Sequence, residues 1–195
     1  MELNDLVTLV DNSLTDKHWG HSYLGLYNDL LNKKRISAEN ILEIGIGDFG
    51  PKNGGSIKMW RDYFATSTVY ALDILSIDRV IDELKNDDRI KLFTSVNAYD
   101  ESFFKETFLD PGLKFDFMLD DGPHTLESMK TFVQLYSQVM KEDGILAIED
   151  VQSMDWIDHL KNAVPDELKQ FIKVYDLRHI KNRYDDIVFT IDKSN

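Results

Sequence analysis

Five times along this 195-residue chain a short strand-forming apolar run gives way to an amphipathic helical period, and that alternation restricts the fold before any single residue is considered. The runs are Asn40–Ile44, Thr68–Leu72, 89–93, 115–119 and 145–148, and all but the third stop at glycine or acidic residues. Between them the spacing predicts helices. Residues 22–34 place Tyr23, Leu26, Tyr27, Leu30 and Leu31 on one face, and 55–64 carry Ile57, Met59, Trp60 and Phe64. Further helices are expected over 76–85 and near 101–108. Leu126, Met129, Phe132, Val133, Tyr136 and Met140 then keep helical spacing until Asp143-Gly144 closes the element. A helix near 154–162 precedes two strands, 170–177 and 186–191, joined by a polar connection that reads as a hairpin. The expected fold is therefore α/β: a doubly wound, Rossmann-like, seven-stranded sheet, parallel with right-handed crossovers and finished by an antiparallel hairpin.

The length suits a single domain over 1–195, with 1–36 as an N-terminal helical cap. A net charge of −13 repels a polyphosphate backbone, and the one dense basic cluster is Lys33-Lys34-Arg35, so nucleic acid is not an expected partner. Cysteine is absent, which excludes disulfides, thiolate metal sites and a cysteine nucleophile. The start, Met1-Glu2-Leu3-Asn4-Asp5, lacks the basic and apolar regions of a leader. No stretch approaches the roughly 18 apolar residues that span a bilayer. The expectation is a cytoplasmic protein with no membrane partner.

In sheets of this kind ligands bind beyond the carboxyl ends of the strands, where the polar motifs fall. Glu43-Ile44-Gly45-Ile46-Gly47 ends the first strand, Asp73 ends the second, Asp120-Asp121-Gly122-Pro123-His124 ends the fourth and Glu149-Asp150 ends the fifth. Gly45, Gly47 and Gly50 satisfy the glycine spacing of a dinucleotide fingerprint. The third glycine of that fingerprint lies inside a helix, however, whereas Gly50 is followed by Pro51-Lys52-Asn53-Gly54-Gly55. Such a loop is too long and broken to cradle a pyrophosphate. What remains is a glycine turn that lets backbone approach a ligand, with Asp73 able to accept from two ribose hydroxyls. The carboxylates suit a cationic cofactor, and S-adenosylmethionine, a sulfonium, fits better than a dinucleotide.

Ile41-Leu42-Glu43-Ile44-Gly45-Ile46-Gly47, the segment Gly54-Gly55-Ser56-Ile57-Lys58-Met59-Trp60 and the run Val69-Tyr70-Ala71-Leu72-Asp73 resemble class I methyltransferases that O-methylate deoxysugars, the macrolide and rhamnosyl-tetracenomycin sugar 2-O-methyltransferases above all. The resemblance continues through Asp120-Asp121-Gly122-Pro123-His124 and Glu149-Asp150-Val151-Gln152, and back to Thr15-Asp16-Lys17, His21 and Tyr23. It implies that Glu43, Gly45, Gly47, Ser56, Asp73, Asn97 and Asp120 bind S-adenosylmethionine, with Asp73 on the ribose and Asn97 near the adenine. It implies Mg²⁺ ligands at Asp121, Glu149 and Asp150, and a general base at His124. Departures are Pro123 for a serine, Asp48 for a glycine and Asn97 for a glutamine. The N-terminal assembly domain of the macrolide enzymes has no counterpart, so the oligomeric state is not carried over. The chain is also compatible with being one domain of a larger glycan-assembly protein.

The chemistry of the residues points the same way. Neighbouring strand tips stand roughly 4.8 Å apart, so Asp121, Glu149 and Asp150 crowd like charges that demand a counter-ion or a proton. An all-oxygen donor set favours a hard cation such as Mg²⁺. The expected reaction is methyl transfer to a sugar hydroxyl, the 2-hydroxyl of a deoxyhexose such as rhamnose by resemblance. A catechol or other vicinal diol satisfies the same geometry, while an NAD-dependent oxidoreductase and a non-catalytic module are the remaining alternatives. Gln152 and Trp156 follow the acidic pair and suit either a sugar face or a helix anchor. His159 and His179 read as surface residues, and His21, near Trp19, Tyr23 and Tyr27, as core packing or a cofactor lid.

Overall fold

A computed structural model of the chain describes residues 5–48 and 50–194. Residues 1–4, read above for a leader, lie outside that range. The strands form one seven-stranded sheet in the order β3-β2-β1-β4-β5-β7-β6, numbered along the chain as follows. Two compact units divide the chain after Val96.

The first unit contains α1 (Leu6–Leu9), α2 (Tyr23–Leu31), β1 (Asn40–Ile44), α3 (Gly55–Tyr63), β2 (Thr68–Leu72), α4 (Asp82–Lys85) and β3 (Ile90–Phe93). β2 pairs in parallel with both β1 and β3. Ile41, Leu42, Val69, Ala71 and Leu72 are buried in the sheet, and Ile57, Met59, Trp60 and Phe64 are buried in and beside α3, as the periodicity predicts. In α2 the buried face is Tyr23, Leu24, Tyr27 and Leu31, rotated from the expected one.

The helix expected over 76–85 is broken. A single 3₁₀ turn, Ile77–Arg79, precedes extended Val80, and one helical turn follows at α4. Asn53 explains the break: its N–H donates to Arg79 O at 2.7 Å and its carbonyl accepts from Ile81 N at 3.0 Å, forming a parallel bridge with Val80. A contact from 27 residues away thus takes the backbone groups that helix would have used.

The second unit contains α5 (Glu101–Phe104), continued by a wider π turn, then β4 (Phe115–Asp120), α6 (Leu126–Tyr136), β5 (Met140–Ile148), α7 (Trp156–Ala163), β6 (Ile172–Asp176), α8 (Arg178–Lys181) and β7 (Ile187–Asp192). β4 and β5 are parallel, whereas β7 pairs antiparallel with both β5 and β6. β4 and β7 are buried throughout, which fits their near-continuous apolar runs. Phe104, Phe108, Phe115, Phe132 and Tyr136 form an aromatic cluster beneath, with ring centroids 4.9 to 6.3 Å apart.

Two strand starts in this unit move by two residues or more from expectation. β5 begins at Met140, not 145, because Met140 pairs with Phe115 and the register shifts before Phe117 meets Ile145. The polar residues 141–144, which read as a helix end, form the shifted segment, and Lys141 Nζ lies 3.0 Å from the buried Asp116 carboxylate. The strand expected over 170–177 starts only at Ile172, after a 3₁₀ stretch, Asp166–Phe171.

Candidate functional site

The glycine turn after β1 is conformationally demanding. Gly45 and Gly47 adopt φ of 102° and 121°, which residues with a Cβ rarely tolerate. Asp73, just past β2, locks the turn: Oδ2 accepts from Ile46 N at 2.7 Å and Oδ1 from Leu75 N at 2.9 Å. Each oxygen keeps a lone pair able to accept a hydroxyl hydrogen. α3 starts five residues beyond Gly50 and behind Gly54, so the third glycine lies outside any helix and the dinucleotide fingerprint is not reproduced. Gly55 is needed for another reason, since a Cβ there would stand 2.6 Å from the Leu14 backbone.

Glu43 is fully buried and faces inward: Oε2 accepts from the Trp60 indole N–H, and Oε1 lies 3.4 Å from buried Lys17 Nζ. The resemblance implies that Glu43 binds the cofactor, and the partners it has here tie the end of β1 to α3 and to the segment before α2. Nothing in local spacing marks Lys17 or Trp60 as those partners. Ser56 is buried in the first turn of α3. His21 stacks on Tyr23 at 4.9 Å, is 3% exposed and places Nε2 3.5 Å from the Asp16 carboxylate, while Trp19 stays exposed.

In the second unit, Asn97 is exposed and its Oδ1 accepts from Tyr99 N at 3.1 Å, a local turn that aims Tyr99. The Tyr99 hydroxyl donates to Asp120 Oδ1 at 2.5 Å. Asp120 ends β4 almost completely buried, and burial, reinforced by the charge of Asp121, pushes its pKa up to about 7 against the pull of the Tyr99 hydrogen bond. No local pattern singles out Tyr99, because its hydroxyl finds a partner 21 positions away.

Beyond the tips of β4 and β5, His124 Nε2 lies 3.1 Å from Asp121 Oδ1 and 3.5 Å from Asp150 Oδ2. His124 and Asp150 have φ of 51° and 55°, a left-handed backbone that costs a non-glycine residue about 1–3 kcal/mol and is concentrated at functional sites. The cost at His124 is carried by its neighbours. Thr125 caps α6 by accepting from Ser128 N at 3.1 Å, with Ser128 closing the reciprocal bond. Burial alone would lower the His124 pKa, but the hydrogen bond to Asp121 and the charges of Asp121, Asp150 and Asp120 push it up to about 9.

One atom each from Asp121, His124 and Asp150 lies within 4.8 Å of the others, a spacing compatible with a single cation. The two carboxylates, completed by water or substrate oxygens, suit a hard divalent ion, whereas the imidazole beside them is a borderline donor and is free to serve as a proton acceptor. Glu149 is buried beside them at 1% exposure but outside that cluster, with its N–H donating to Asp120 O at 3.2 Å. His159 and His179 are exposed, as expected. Gln152 is half-buried and donates to the Asp150 carbonyl at 2.9 Å, and Trp156 opens α7 half-buried.

Searches with this chain match no protein-family model. It is 30% identical over 142 residues to L-olivosyl-oleandolide 3-O-methyltransferase of Streptomyces antibioticus, covering 71% of this chain and 35% of that protein. It is 27% identical over 170 residues to mycinamicin VI 2''-O-methyltransferase of Micromonospora griseorubida, covering 84% of this chain and 40% of that protein. This chain is similar in sequence to sugar O-methyltransferases. It spans little more than a third of the length of these curated relatives. Among solved structures it superposes on MycE methyltransferase from the mycinamycin biosynthetic pathway, determined with Mg, SAH and mycinamycin VI, at a TM-score of 0.77 and 20% identity. That match covers 100% of this chain and 54% of MycE. A Clostridium thermocellum protein described as a putative rRNA methylase matches at a TM-score of 0.65 and 12% identity, covering 88% of this chain and 95% of that one. The shared fold is the class I methyltransferase fold, with its C-terminal antiparallel strands. Among the described residues no helix is long and apolar enough to cross a membrane.

Proposed function

We propose that this chain is a Mg²⁺-dependent O-methyltransferase segment that moves a methyl group from S-adenosylmethionine to a hydroxyl of a sugar-bearing small molecule. The observation that carries the reading is the meeting of Asp121, His124 and Asp150 at the tips of adjacent parallel strands. Similarity to enzymes named for methylating olivosyl, rhamnosyl and mycinamicin sugars supports the acceptor class. Those names specify both 2- and 3-hydroxyls, and the 2-hydroxyl of a deoxyhexose is our preferred acceptor.

Asp73, already held by two backbone amides, would accept the ribose hydroxyls of the cofactor, while Gly45 and Gly47 keep the turn free of side chains. Glu43 positions this turn through Trp60 and Lys17. Asp121 and Asp150, with Glu149 adjoining, would hold the cation. The bound cation supplies Lewis-acid polarisation of the sugar hydroxyl, and the cofactor supplies an electrophilic methyl group. His124 takes the hydroxyl proton at Nε2. With Asp121 and Asp150 engaged in holding a cation, much of the negative charge that raises the His124 pKa would be offset, which would return the imidazole toward the neutral form a base requires.

The test is transfer of label from S-adenosylmethionine to a panel of rhamnosides and catechols with Mg²⁺. We expect sugar methylation that chelation abolishes, and a loss of ~10²–10⁴-fold in His124→Ala and Asp121→Asn. Rates within a few-fold of the parent in both variants would remove these roles.

A further inference from the structure

The large exposed apolar side chains described in the second unit are Met154, Ile180 and Tyr184, at 41%, 54% and 64% exposure. All three sit on two segments, the residues just past Asp150 and the β6–β7 connection at 177–186. Tyr184 differs from the other two in being tethered. Its hydroxyl donates to Gln152 Oε1 at 2.8 Å, and the Gln152 amide donates to the Asp150 carbonyl at 2.9 Å. Two hydrogen bonds therefore link an uncovered aromatic ring to a backbone that itself adopts a left-handed conformation beside His124.

The connection that carries Tyr184 is fixed at its base. Leu177 N donates to Asp186 O at 2.8 Å, and Val151 N, next to Asp150, donates to Ile187 O at 3.2 Å. Asn182 supplies a left-handed turn after α8, φ 57°, which reverses the chain ahead of Tyr184. With its hydroxyl engaged and its position fixed, Tyr184 offers a preorganised apolar ring. That combination suits a flat face of C–H groups bordered by hydroxyls, the chemistry of a pyranose.

We propose that Tyr184 is an acceptor-positioning residue, the platform on which the sugar stacks, and that Gln152 holds this platform in register with Asp150. The inference rests on the methyl-transfer reading for the identity of the acceptor. Neither the aspartates nor His124 can select a sugar by shape, so a stacking surface supplies a discrimination the polar cluster lacks.

The probe is methyl α-L-rhamnopyranoside, titrated by NMR against the full chain with Mg²⁺ and S-adenosylhomocysteine. Tyr184→Ala is expected to weaken rhamnoside binding about tenfold, and Tyr184→Phe, which keeps the ring and loses the tether, about two- to threefold. S-adenosylhomocysteine affinity and melting temperature should stay at parental values, because the ring is exposed. In turnover, the acceptor KM should rise with kcat held near the parent. Equal rhamnoside affinity in parent and Tyr184→Ala, or no rhamnoside binding to the parent, would overturn the proposal. Tyr184-dependent binding without label transfer would support the platform while rejecting the methyl-transfer reading.

Discussion

At the residue scale, Gly122 shows how tightly the tip of β4 is specified. A Cβ at this position would lie 2.1 Å from the Tyr99 hydroxyl and 3.0 Å from Asp120 Oδ1. Gly122→Ala must therefore push Tyr99 off the buried Asp120 carboxylate. A hydrogen bond to a charged or partly charged acceptor contributes about 1.5–3 kcal/mol, and we expect a loss of that order in urea unfolding. In a Tyr99→Phe background the bond is already absent and the 2.1 Å overlap is gone, leaving the ring Cζ at 3.2 Å, so Gly122→Ala should cost less. Additive losses in the double variant would show that Gly122 serves another purpose. From sequence, Gly122 reads as one more turn residue. Its constraint comes from a side chain that only the folded chain brings near.

Among the elements, α4 is a single turn, far too short to persist alone. α3 holds it in place. Arg61, 11% exposed, reaches Glu83 at 2.7 Å and Asp87 at 2.9 Å, and Lys58 reaches Glu83 at 2.9 Å. The hydrogen bonds from Arg61 and Lys58 hold the Glu83 carboxyl below its ordinary range. For Asp87, burial works upward, but the Arg89 N–H and the Arg61 guanidinium overcome it and lower the pKa. Because both folded values are depressed, their stabilisation is complete above about pH 5 and is lost as pH falls through the folded pKa values. Arg61→Ala should cost about 1–2 kcal/mol at pH 7, discounted for the partly exposed partners. The gap between parent and variant should narrow below about pH 4, followed by thermal melts across that range. A gap that widens in acid would contradict this assignment. The π turn after α5 and the Asn53 insertion ahead of α4 belong to the same scale: each alters a helix that periodicity alone predicts.

For the whole molecule, a net charge of −13 means that self-repulsion opposes compaction. Added salt screens this repulsion and also weakens surface ion pairs, but exposed pairs contribute only about 0–1 kcal/mol each. Repulsion should prevail. Raising NaCl from about 0.01 to 0.2 M, where the Debye length falls from about 30 Å to under 10 Å, should raise the melting temperature by a few degrees. A flat or falling curve would mean that the ion pairs dominate. The five parallel strands, the antiparallel pair at the end and the carboxylates beyond the strand tips were all legible in the sequence. β-rich runs buried on both faces and acidic strand endings are local patterns, and local patterns survive without knowledge of distant contacts. The start of β5 at Met140, the break before α4, the inward turn of Glu43, the placement of β7 between β5 and β6, and the tether from Tyr184 through Gln152 to Asp150 were decided by tertiary structure alone. Each depends on which residues far apart in the chain compete for one hydrogen bond or one ladder position, and periodicity carries no information about that competition.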